Sequence, residues 1–556
     1  MRISRLLAAI CALLLGACSN DEKPAGAKHV TTLVFTQPAD ADNLLPLLST
    51  SEISAQVDAM LFEKLAEIND SMNVIGDAGA RPSLADSWTW APDSLSIAFH
   101  LDPKAHWSDG VPVRAPDVLY SFRVNKSKVV GSSLIPLLAD VDSVTARDSL
   151  TPVVWFRARS LEQFFNSATQ VRVLPAHLMQ NTPDSALQST PYGRNPVGSG
   201  PYKFVRWVSG STIELVADST FHRGRPKIDR LIWSVTTNPD AAILRLISGE
   251  ANFADKLRKQ DIDQIAKHPE LKVVGYPSML AYYVLFNERG RKGKGPHPIF
   301  ADREVRRALS MAVDRRGAVT TVYDAKTPLL LGPYTSNLAT YDPKIVQLPF
   351  APDSAAKILE RRGWIMGKDS VRHKGAVPLQ FSLLVPGSSS QRQQMAVMLQ
   401  DMFKRVGARM SIEHVDFPTL NARQPAHDYD AAFDGMSLDP TPSGIRQEWS
   451  TAAAKAEGIS NTGQYMNPEF DATIDSAVAA MDRKAAIALY RRAYAIIAND
   501  APAIWLYEAP ALAGMNVNVH PAPMRGDMWW VHLADWTIGD GPAPKGATVA
   551  VATSAH

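Results

Sequence analysis

The sequence predicts a mixed α/β fold, because two apolar periodicities recur along its 556 residues. Ile97, Phe99 and Leu101 occupy every second position, as on one face of a strand, whereas residues 305–313 carry apolar side chains at helical spacing. Segments of both kinds are mixed throughout, without a short repeat or a coiled-coil heptad pattern. A chain of this length is ample for two or three domains with their own cores.

The individual elements follow from the same periodicities, read in chain order. Alternating segments predict strands at residues 31–35, 97–101, 202–206, 212–215, 381–385, 410–415 and 503–507. Helical spacing predicts helices at residues 53–65, 116–122, 241–248, 303–313, 354–361, 393–406 and 483–498. Asp302 has the position of a helix N-cap, whose carboxylate accepts hydrogen bonds from free backbone N–H groups.

The N-terminus has the pattern of a bacterial lipoprotein signal. Arg2 and Arg5 precede an apolar stretch at residues 6–15 that is too short to span a bilayer. The following Leu-Gly-Ala-Cys resembles a lipobox, which predicts a signal peptide over residues 1–17, lipidation of Cys18 and a polar tether over residues 18–28. An ordinary secretory peptide that contains a cysteine is the alternative. The pattern leaves open which membrane would hold the anchor.

Charge and cysteine content exclude several classes of function. The chain has 58 Lys and Arg against 56 Asp and Glu, and loss of Arg2 and Arg5 would balance the two signs. A neutral protein has no electrostatic reason to bind nucleic acid. Cleavage would remove Cys11 and leave Cys18 alone, so neither an internal disulfide nor a cysteine-based zinc site is expected.

Signals for an enzyme are poor. Ser354 and Lys357 match the Ser-x-x-Lys pattern of penicillin-binding enzymes, but the Ser-Asp-Asn and Lys-Thr-Gly motifs that complete such a site are missing. The 13 histidines are scattered, without pairs at i and i+4. We therefore expect no catalytic residues, no metal site and no cofactor.

The most informative segment spans residues 81–124. Asp109-Gly110 follows the strand at 97–101 and favours a tight turn, because glycine tolerates positive φ. Pro116 then begins a helix, with Asp117 in its first turn. The runs Pro-x-Leu-Ala-x-Ser-Trp, Phe-His-Leu, Trp-x-Asp-Gly-x-Pro-Val and Asp-Val-x-Tyr-Ser-Phe in this segment closely resemble the signature of extracytoplasmic solute-binding protein family 5, the dipeptide/oligopeptide-binding type of ABC importers.

Further motifs in the order of that family cover nearly the whole mature chain. They lie at residues 196–203 (PVGSGPYK), 221–229 (FHRGRPKID), 246–250 (LISGE), 286–287 (FN), 300–315 and 463–471. Each is weak alone, but together they are specific.

The resemblance implies an α/β fold of the large periplasmic-binding-protein type, with two lobes and an extra subdomain in the first lobe. The implied division is lobe I at residues 29–67, 190–281 and 501–536, the subdomain at 68–189, and lobe II at 282–500. The chain would cross between the lobes near Asn287 and Pro502. Residues 537–556, rich in Gly, Pro and Ala, are predicted to be a flexible tail.

The resemblance also implies a ligand site between the lobes. In peptide-binding members an Asp in a Gly-Trp-x-x-Asp run pairs with the α-ammonium of the ligand, and Asp439 matches that position after Gly435 and Met436. Met436 stands where the family usually has Trp. This difference removes a flat aromatic wall from the site, so the size and class of the ligand do not follow from the resemblance. A turn at Asp439-Pro440 is the alternative interpretation.

Other candidate contacts are less specific. The strand from Phe433 to Ser437 could pair with an extended ligand backbone, which gives affinity that is indifferent to side chains. Ala39 lies in a loop at residues 37–40 that resembles the first-lobe segment facing the ligand. Trp505, like other aromatic residues near the C-terminus, could line a cleft, although such residues are more often part of a core.

The implied function is that of a monomeric, extracytoplasmic, lipid-anchored solute-binding protein that does no chemistry. It would capture a small solute, with a short peptide as the leading candidate, between two hinged lobes and deliver it to a membrane permease driven by ATPase subunits. A sugar, an opine or a metal chelate is the alternative ligand. A receptor or chaperone that shares the fold but serves no transporter is the alternative of another class.

Overall fold

A computed structural model describes residues 30–456, 460–539 and 550–551. The predicted signal peptide, the tether and Cys18 lie outside these residues, as do residues 540–549 and 552–556 of the predicted tail.

Strands and helices are mixed along the whole described chain. The strands are β1 (Thr32–Gln37), β2 (Ala66–Ile68), β3 (Ala80–Pro82), β4 (Ala85–Trp90), β5 (Ser96–Leu101), β6 (Val141–Asp148), β7 (Thr151–Phe156), β8 (Tyr202–Val208), β9 (Thr212–Ala217), β10 (Arg230–Val235), β11 (Phe253–Ala254), β12 (Leu271–Tyr276), β13 (Leu280–Phe286), β14 (Ile365–Met366), β15 (Arg372–Lys374), β16 (Val377–Pro378), β17 (Gln380–Pro386), β18 (Arg409–Val415), β19 (Ala431–Ser437), β20 (Ala503–Glu508), β21 (Ala511–Asn516), β22 (Val519–His520), β23 (Thr537–Ile538) and β24 (Ala550–Val551). The helices are α1 (Glu52–Leu61), α2 (Ala115–Asn125), α3 (Gln163–Ala168), α4 (Ala176–Met179), α5 (Pro239–Ile247), α6 (Lys259–Ile265), α7 (Arg303–Met311), α8 (Arg315–Val322), α9 (Pro352–Arg361), α10 (Ser390–Arg405), α11 (Phe417–Arg423), α12 (Gly444–Trp449), α13 (Thr451–Lys455), α14 (Pro468–Ala479) and α15 (Arg483–Asp500).

Lobe I is built on an eight-stranded sheet in the order β24-β12-β21-β11-β1-β10-β9-β8. Strand β1 pairs in parallel with β10 and β11, and the hairpin β8–β9 continues the sheet on one side. Part of the predicted tail belongs to β-structure, because β23 pairs with β22 and β24 pairs with β12.

The subdomain of lobe I contains the segment that carries the signature. Its antiparallel sheet has the order β4-β5-β7-β6, and α2 packs on β6 and β7. The predicted turn is present, with Gly110 at φ +91°. Asp117 does more than favour the start of α2, because its carboxylate accepts from the backbone N–H of Arg114 at 2.9 Å and of Ala176 at 2.8 Å. The signature thus secures the fold of the subdomain.

Lobe II is built on a five-stranded sheet in the order β18-β17-β19-β13-β20. The chain passes from the first sheet to the second at residues 277–279 and returns at residues 509–510. The expected crossings near Asn287 and Pro502 differ from these positions, because β13 and β20 pair with each other inside lobe II. The separate sheets confirm the predicted α/β class with two lobes.

The motif at residues 196–203 packs against the end of α1. A Cβ atom on Gly198 would lie 1.9 Å from the carbonyl oxygen of Leu61, and one on Gly200 would lie 2.5 Å from that of Met60. The backbone N–H of Gly200 donates to Leu61 at 2.8 Å. This contact also occupies the last turn of α1, which ends at Leu61 although the apolar spacing predicts a helix to residue 65.

Replacing Gly198 with Ala should therefore destabilise lobe I. The added methyl group meets backbone that cannot move away cheaply, so we expect a loss of about 3 kcal/mol in the free energy of unfolding, the upper end for overpacking. Gly275→Ala is the matched control, since its Cβ atom would meet only Leu512 at 3.6 Å. Denaturant unfolding of both variants checks this, and equal midpoints would contradict the close-packing argument.

The motif at residues 221–229 places a histidine between two acids. The ring of His222 is bonded to Asp102 through Nδ1 at 2.8 Å and to Glu63 through Nε2 at 3.0 Å, and 1% of its side chain is exposed. Burial lowers the pKa of His222, but the two carboxylates outweigh burial and raise it. The pKa of Glu63 is raised by burial. The three side chains join the subdomain to lobe I.

The stability of this junction should depend on pH. The folded state holds protons on His222 and Glu63 more firmly than the unfolded state does. The contribution of His222 is therefore complete below the unfolded pKa of His, about 6.5, and is lost as pH rises through its folded pKa. The contribution of Glu63 is complete only below the unfolded pKa of Glu, about 4.3, and is lost as pH rises through its own folded pKa. We expect His222→Gln to cost about 3 kcal/mol at pH 6 and clearly less at pH 9. Denaturant unfolding at both values tests this, with the partly exposed His268→Gln as control; a cost independent of pH would refute it.

Candidate functional site

Strand β19 is paired fully on one side and only partly on the other. All seven of its residues pair with β13, from Phe286↔Ala431 to Leu280↔Ser437. On the β17 side only Ala431 and Ala432 have partners. Among the described strands, none covers this side of residues 433–437. Such an edge presents backbone N–H and C=O groups without a strand partner, which is the template for adding an extended chain. Within it, the N–H of Gly435 donates to Oδ1 of Asp434 at 2.8 Å.

The predicted contacts on β19 differ in their accessibility. Gly435 and Ser437 are exposed, and Met436 is half-buried against apolar residues between the lobes. Phe433 is 0% exposed and packs in the core of lobe II, so its side chain does not face the cleft. Tyr282 lies over Gly435, where a Cβ atom would meet its ring at 2.4 Å. An aromatic wall is therefore present beside β19 even though Met436 is not Trp.

Asp439 lies where three parts of the molecule meet. It lines a cavity of about 170 Å³ together with Pro440 of lobe II, Phe165 of the subdomain and Lys64 and Arg525 of lobe I. Pockets for drug-sized ligands measure roughly 300–1,000 Å³. An occupant that reaches Asp439 would therefore extend along the edge of β19 or require the lobes to separate.

The charges around this cavity leave Asp439 without a partner. Both cations are engaged, since Arg525 binds Asp527 through two hydrogen bonds of 2.9 and 2.8 Å and Lys64 lies 3.4 Å from Glu67. Loss of water in the cleft and the negative charge of Asp527 raise the pKa of Asp439, and within the described chain no hydrogen bond lowers it. A cationic group is what this carboxylate lacks.

Two other predicted contacts lie elsewhere. Ala39 is exposed and lines a separate cavity of about 320 Å³ in lobe I, together with Pro239, Leu257 and others. Trp505 is 2% exposed and packs edge-to-face on Trp449, with ring centroids 5.1 Å apart. The structure thus brings Asp439 and the exposed part of β19 to one cleft, and it does not bring Ala39 or Trp505 into the cavity at Asp439.

Sequence reasoning missed the two cations of lobe I that line the cavity together with Asp439. Lys64 follows α1 in an apolar segment, and Arg525 lies in a Pro-rich stretch without a motif. Both are buried, with 6% and 2% exposure, and a buried charge is rare unless it is paired. No signal in the linear sequence connects two residues so distant along the chain.

The described residues offer neither a metal cluster nor a membrane-spanning helix. No group of three or more His, Cys, Asp and Glu side chains among residues 30–456, 460–539 and 550–551 could hold a metal ion. Over the same residues, none of the helices has the length and apolar character needed to cross a bilayer.

Two lobes joined by two short connections, at residues 277–279 and 509–510, with a partly charged cleft between them, are typical of a solute-binding protein. The family described as "Bacterial extracellular solute-binding proteins, family 5 Middle" matches residues 79–456, and the chain belongs to this family.

Full-length relatives agree with this assignment. The oligopeptide-binding protein AppA of Bacillus subtilis (strain 168) is 26% identical over 544 residues, which cover 94% of this chain and 97% of AppA. The structure of AppA in complex with a nonapeptide has a TM-score of 0.71 at 24% identity, over 92% of this chain and 100% of that one.

Two further structures share the fold. The substrate-binding protein CtaP from Listeria monocytogenes has a TM-score of 0.80 at 21% identity, over 92% of this chain and 100% of that one. NikA from Brucella suis, solved with Fe(III)-EDTA, has a TM-score of 0.77 at 19% identity, over 91% and 100%. The fold therefore accommodates different ligands.

Proposed function

We propose that this protein captures a short peptide between its lobes and delivers it to the permease of an ABC import system. The observation that carries the proposal is the unpaired carboxylate of Asp439, which lies in the cleft just beyond the free edge of β19. An extended peptide offers both complements, because its backbone can add to the strand and its α-ammonium can bind the carboxylate.

The mechanism follows from the position of these groups. Backbone pairing with residues 433–437 gives affinity that does not depend on the side chains of the ligand. The charge-assisted bond to Asp439 fixes the position of the amino terminus of the peptide. Closure of the lobes then removes water from that bond and strengthens it, since the attraction between the charges is larger at low dielectric constant. The relative AppA, which was solved with a nonapeptide, supports the same class of ligand.

The ligand class is tested by denaturing the purified protein and identifying what it releases by mass spectrometry. Recovery of short peptides with free amino termini is the expected result. Recovery of a sugar, an opine or a metal chelate would overturn the proposal.

The role of Asp439 is tested with a synthetic library of tri- to pentapeptides, offered with free or acetylated amino termini. Asp439→Asn should weaken binding of the free peptides about tenfold or more, as expected for a hydrogen bond to a charged group. Acetylation should have a similar effect on the unmutated protein and little further effect on the variant. Isothermal calorimetry measures both.

The control for this comparison is Asp401→Asn, which changes an exposed carboxylate of α10 in lobe II, paired with Arg405. It should bind like the unmutated protein. Equal affinity of Asp439→Asn and the unmutated protein for free peptides would show that Asp439 is not the anchor.

We further propose that residues 1–17 are removed and that Cys18 carries the lipid that holds the protein on a membrane. Two or more acyl chains give stable anchoring, whereas one chain binds only marginally. The unmutated protein should fractionate with membranes and show the added mass of the lipid on Cys18. Cys18→Ser should abolish both, and an unmodified Cys18 in the membrane-bound protein would contradict the proposal.

A further inference from the structure

Glu162 of the subdomain reaches across to lobe II. Its Oε1 accepts from the backbone N–H of Ser443 at 3.2 Å and from the hydroxyl of Tyr490 at 3.3 Å, and its Oε2 accepts from the hydroxyl of Ser443. Glu162 is 8% exposed. All three donors are neutral and come from lobe II, so the carboxylate exchanges water for these bonds only when the two parts meet.

The segment that Glu162 holds is the one that carries Asp439. Ser443 lies four residues after Asp439, and Pro440 and Pro442 stand between them. Proline fixes φ near −65°, so this segment has little freedom of its own. A constraint at Ser443 is therefore transmitted to Asp439.

Apolar contacts accompany the polar one. Phe165 follows Glu162 on α3, and Trp449 ends the helix that begins after Ser443. Both are buried in one cluster between the lobes, together with Ile68 of the subdomain and Tyr283 of lobe II. Separation of the lobes would expose this cluster to water, so the same movement makes or breaks the polar and the apolar contacts.

We propose that Glu162 is a positioning residue that fastens the segment from Asp439 to Ser443 to the subdomain on closure. It does so from outside the cavity at Asp439, which Glu162 does not line. The subdomain thereby becomes part of the closing machinery, and its contact with Ser443 sets the geometry of the peptide anchor. This inference rests on the proposed function for its effect on ligand affinity, but not for its effect on closure.

The first test needs no ligand. Spin labels at Val129→Cys in the subdomain and Val397→Cys in lobe II, which are 63% and 58% exposed, report the distance between these parts in the mature chain with Cys18→Ser. Glu162→Ala should raise the population of long distances about fivefold, as expected for the net loss of about 1 kcal/mol of hydrogen bonding. Ser443→Ala, which keeps the backbone donor, should have a smaller effect.

Two further variants separate positioning from simple loss of structure. Glu162→Gln should retain the closed distance, because its amide oxygen accepts from the same donors and its NH₂ can donate to the hydroxyl of Ser443. Glu162→Ala combined with Ser443→Ala should open no further than Glu162→Ala alone. Glu250→Ala, which changes an exposed carboxylate of lobe I, is the control.

Three results would overturn the proposal: distances unchanged in Glu162→Ala, opening in Glu162→Gln equal to that in Glu162→Ala, or additive effects in the double variant. The second test is calorimetry with the peptide library, where Glu162→Ala should weaken binding severalfold and Glu162→Gln should not. If the unmutated protein binds no peptide, the proposed function fails while the distances still decide the role of Glu162.

Discussion

The partial pairing of β19 is the constraint on which the candidate site depends. Strand β13 holds β19 along its full length, and β17 leaves it after Ala432. The consequence is a strand that is fixed in register by its neighbour and yet keeps an open edge from residue 433 onward. Because β13 begins directly after residues 277–279, one of the two connections between the lobes, the open edge lies beside the cleft.

Electrostatics then decides what this cleft can take. Burying a charge without a partner is costly, and the protein avoids that cost for Arg525 and Lys64 by pairing each with an acid. Among the described residues, Asp439 alone of the five charged residues of its cavity has no ion pair or hydrogen bond, and it is exposed to water. A ligand cation would complete the set, whereas an anion would add to the repulsion that Asp527 already exerts. Asp439 alone is therefore sufficient to recognise a cationic group on the ligand, because the other charged residues of the cavity are already paired with each other.

Local patterns in the sequence were sufficient where local physics decides the structure. The strand at residues 97–101 and the turn at Gly110 follow from periodicity and from positive φ. Local patterns were insufficient where contact with a residue distant along the chain determines the structure. The apolar spacing of α1 continues to residue 65. However, the backbone N–H of Gly200 donates to the carbonyl oxygen of Leu61, and the helix ends at that residue. Similarly, the segment after Pro502 pairs with β13 and so belongs to lobe II.

The candidate site shows the same division. Asp439 was predicted from its place in a motif, together with the strand that precedes it. Lys64, Glu162 and Arg525 reach the cleft from segments that lie far from Asp439 along the chain, and only the fold brings them there. No periodicity or spacing in the sequence predicts these contacts, because the sequence around each of the three residues does not distinguish it from any other charged residue.

The subdomain has a larger part in this arrangement than its signature suggests. Residues 81–124 secure its own fold through Asp117 and the turn at Gly110, and none of them lines the cavity at Asp439. Its contribution to the cleft comes instead from the end of the same unit, where Glu162 and Phe165 meet lobe II. The acid and the turn that stabilise the subdomain therefore lie apart from its contacts with lobe II. The surface that the subdomain offers to lobe II is formed by the folding of the subdomain itself, which lowers the cost of ordering that surface on contact.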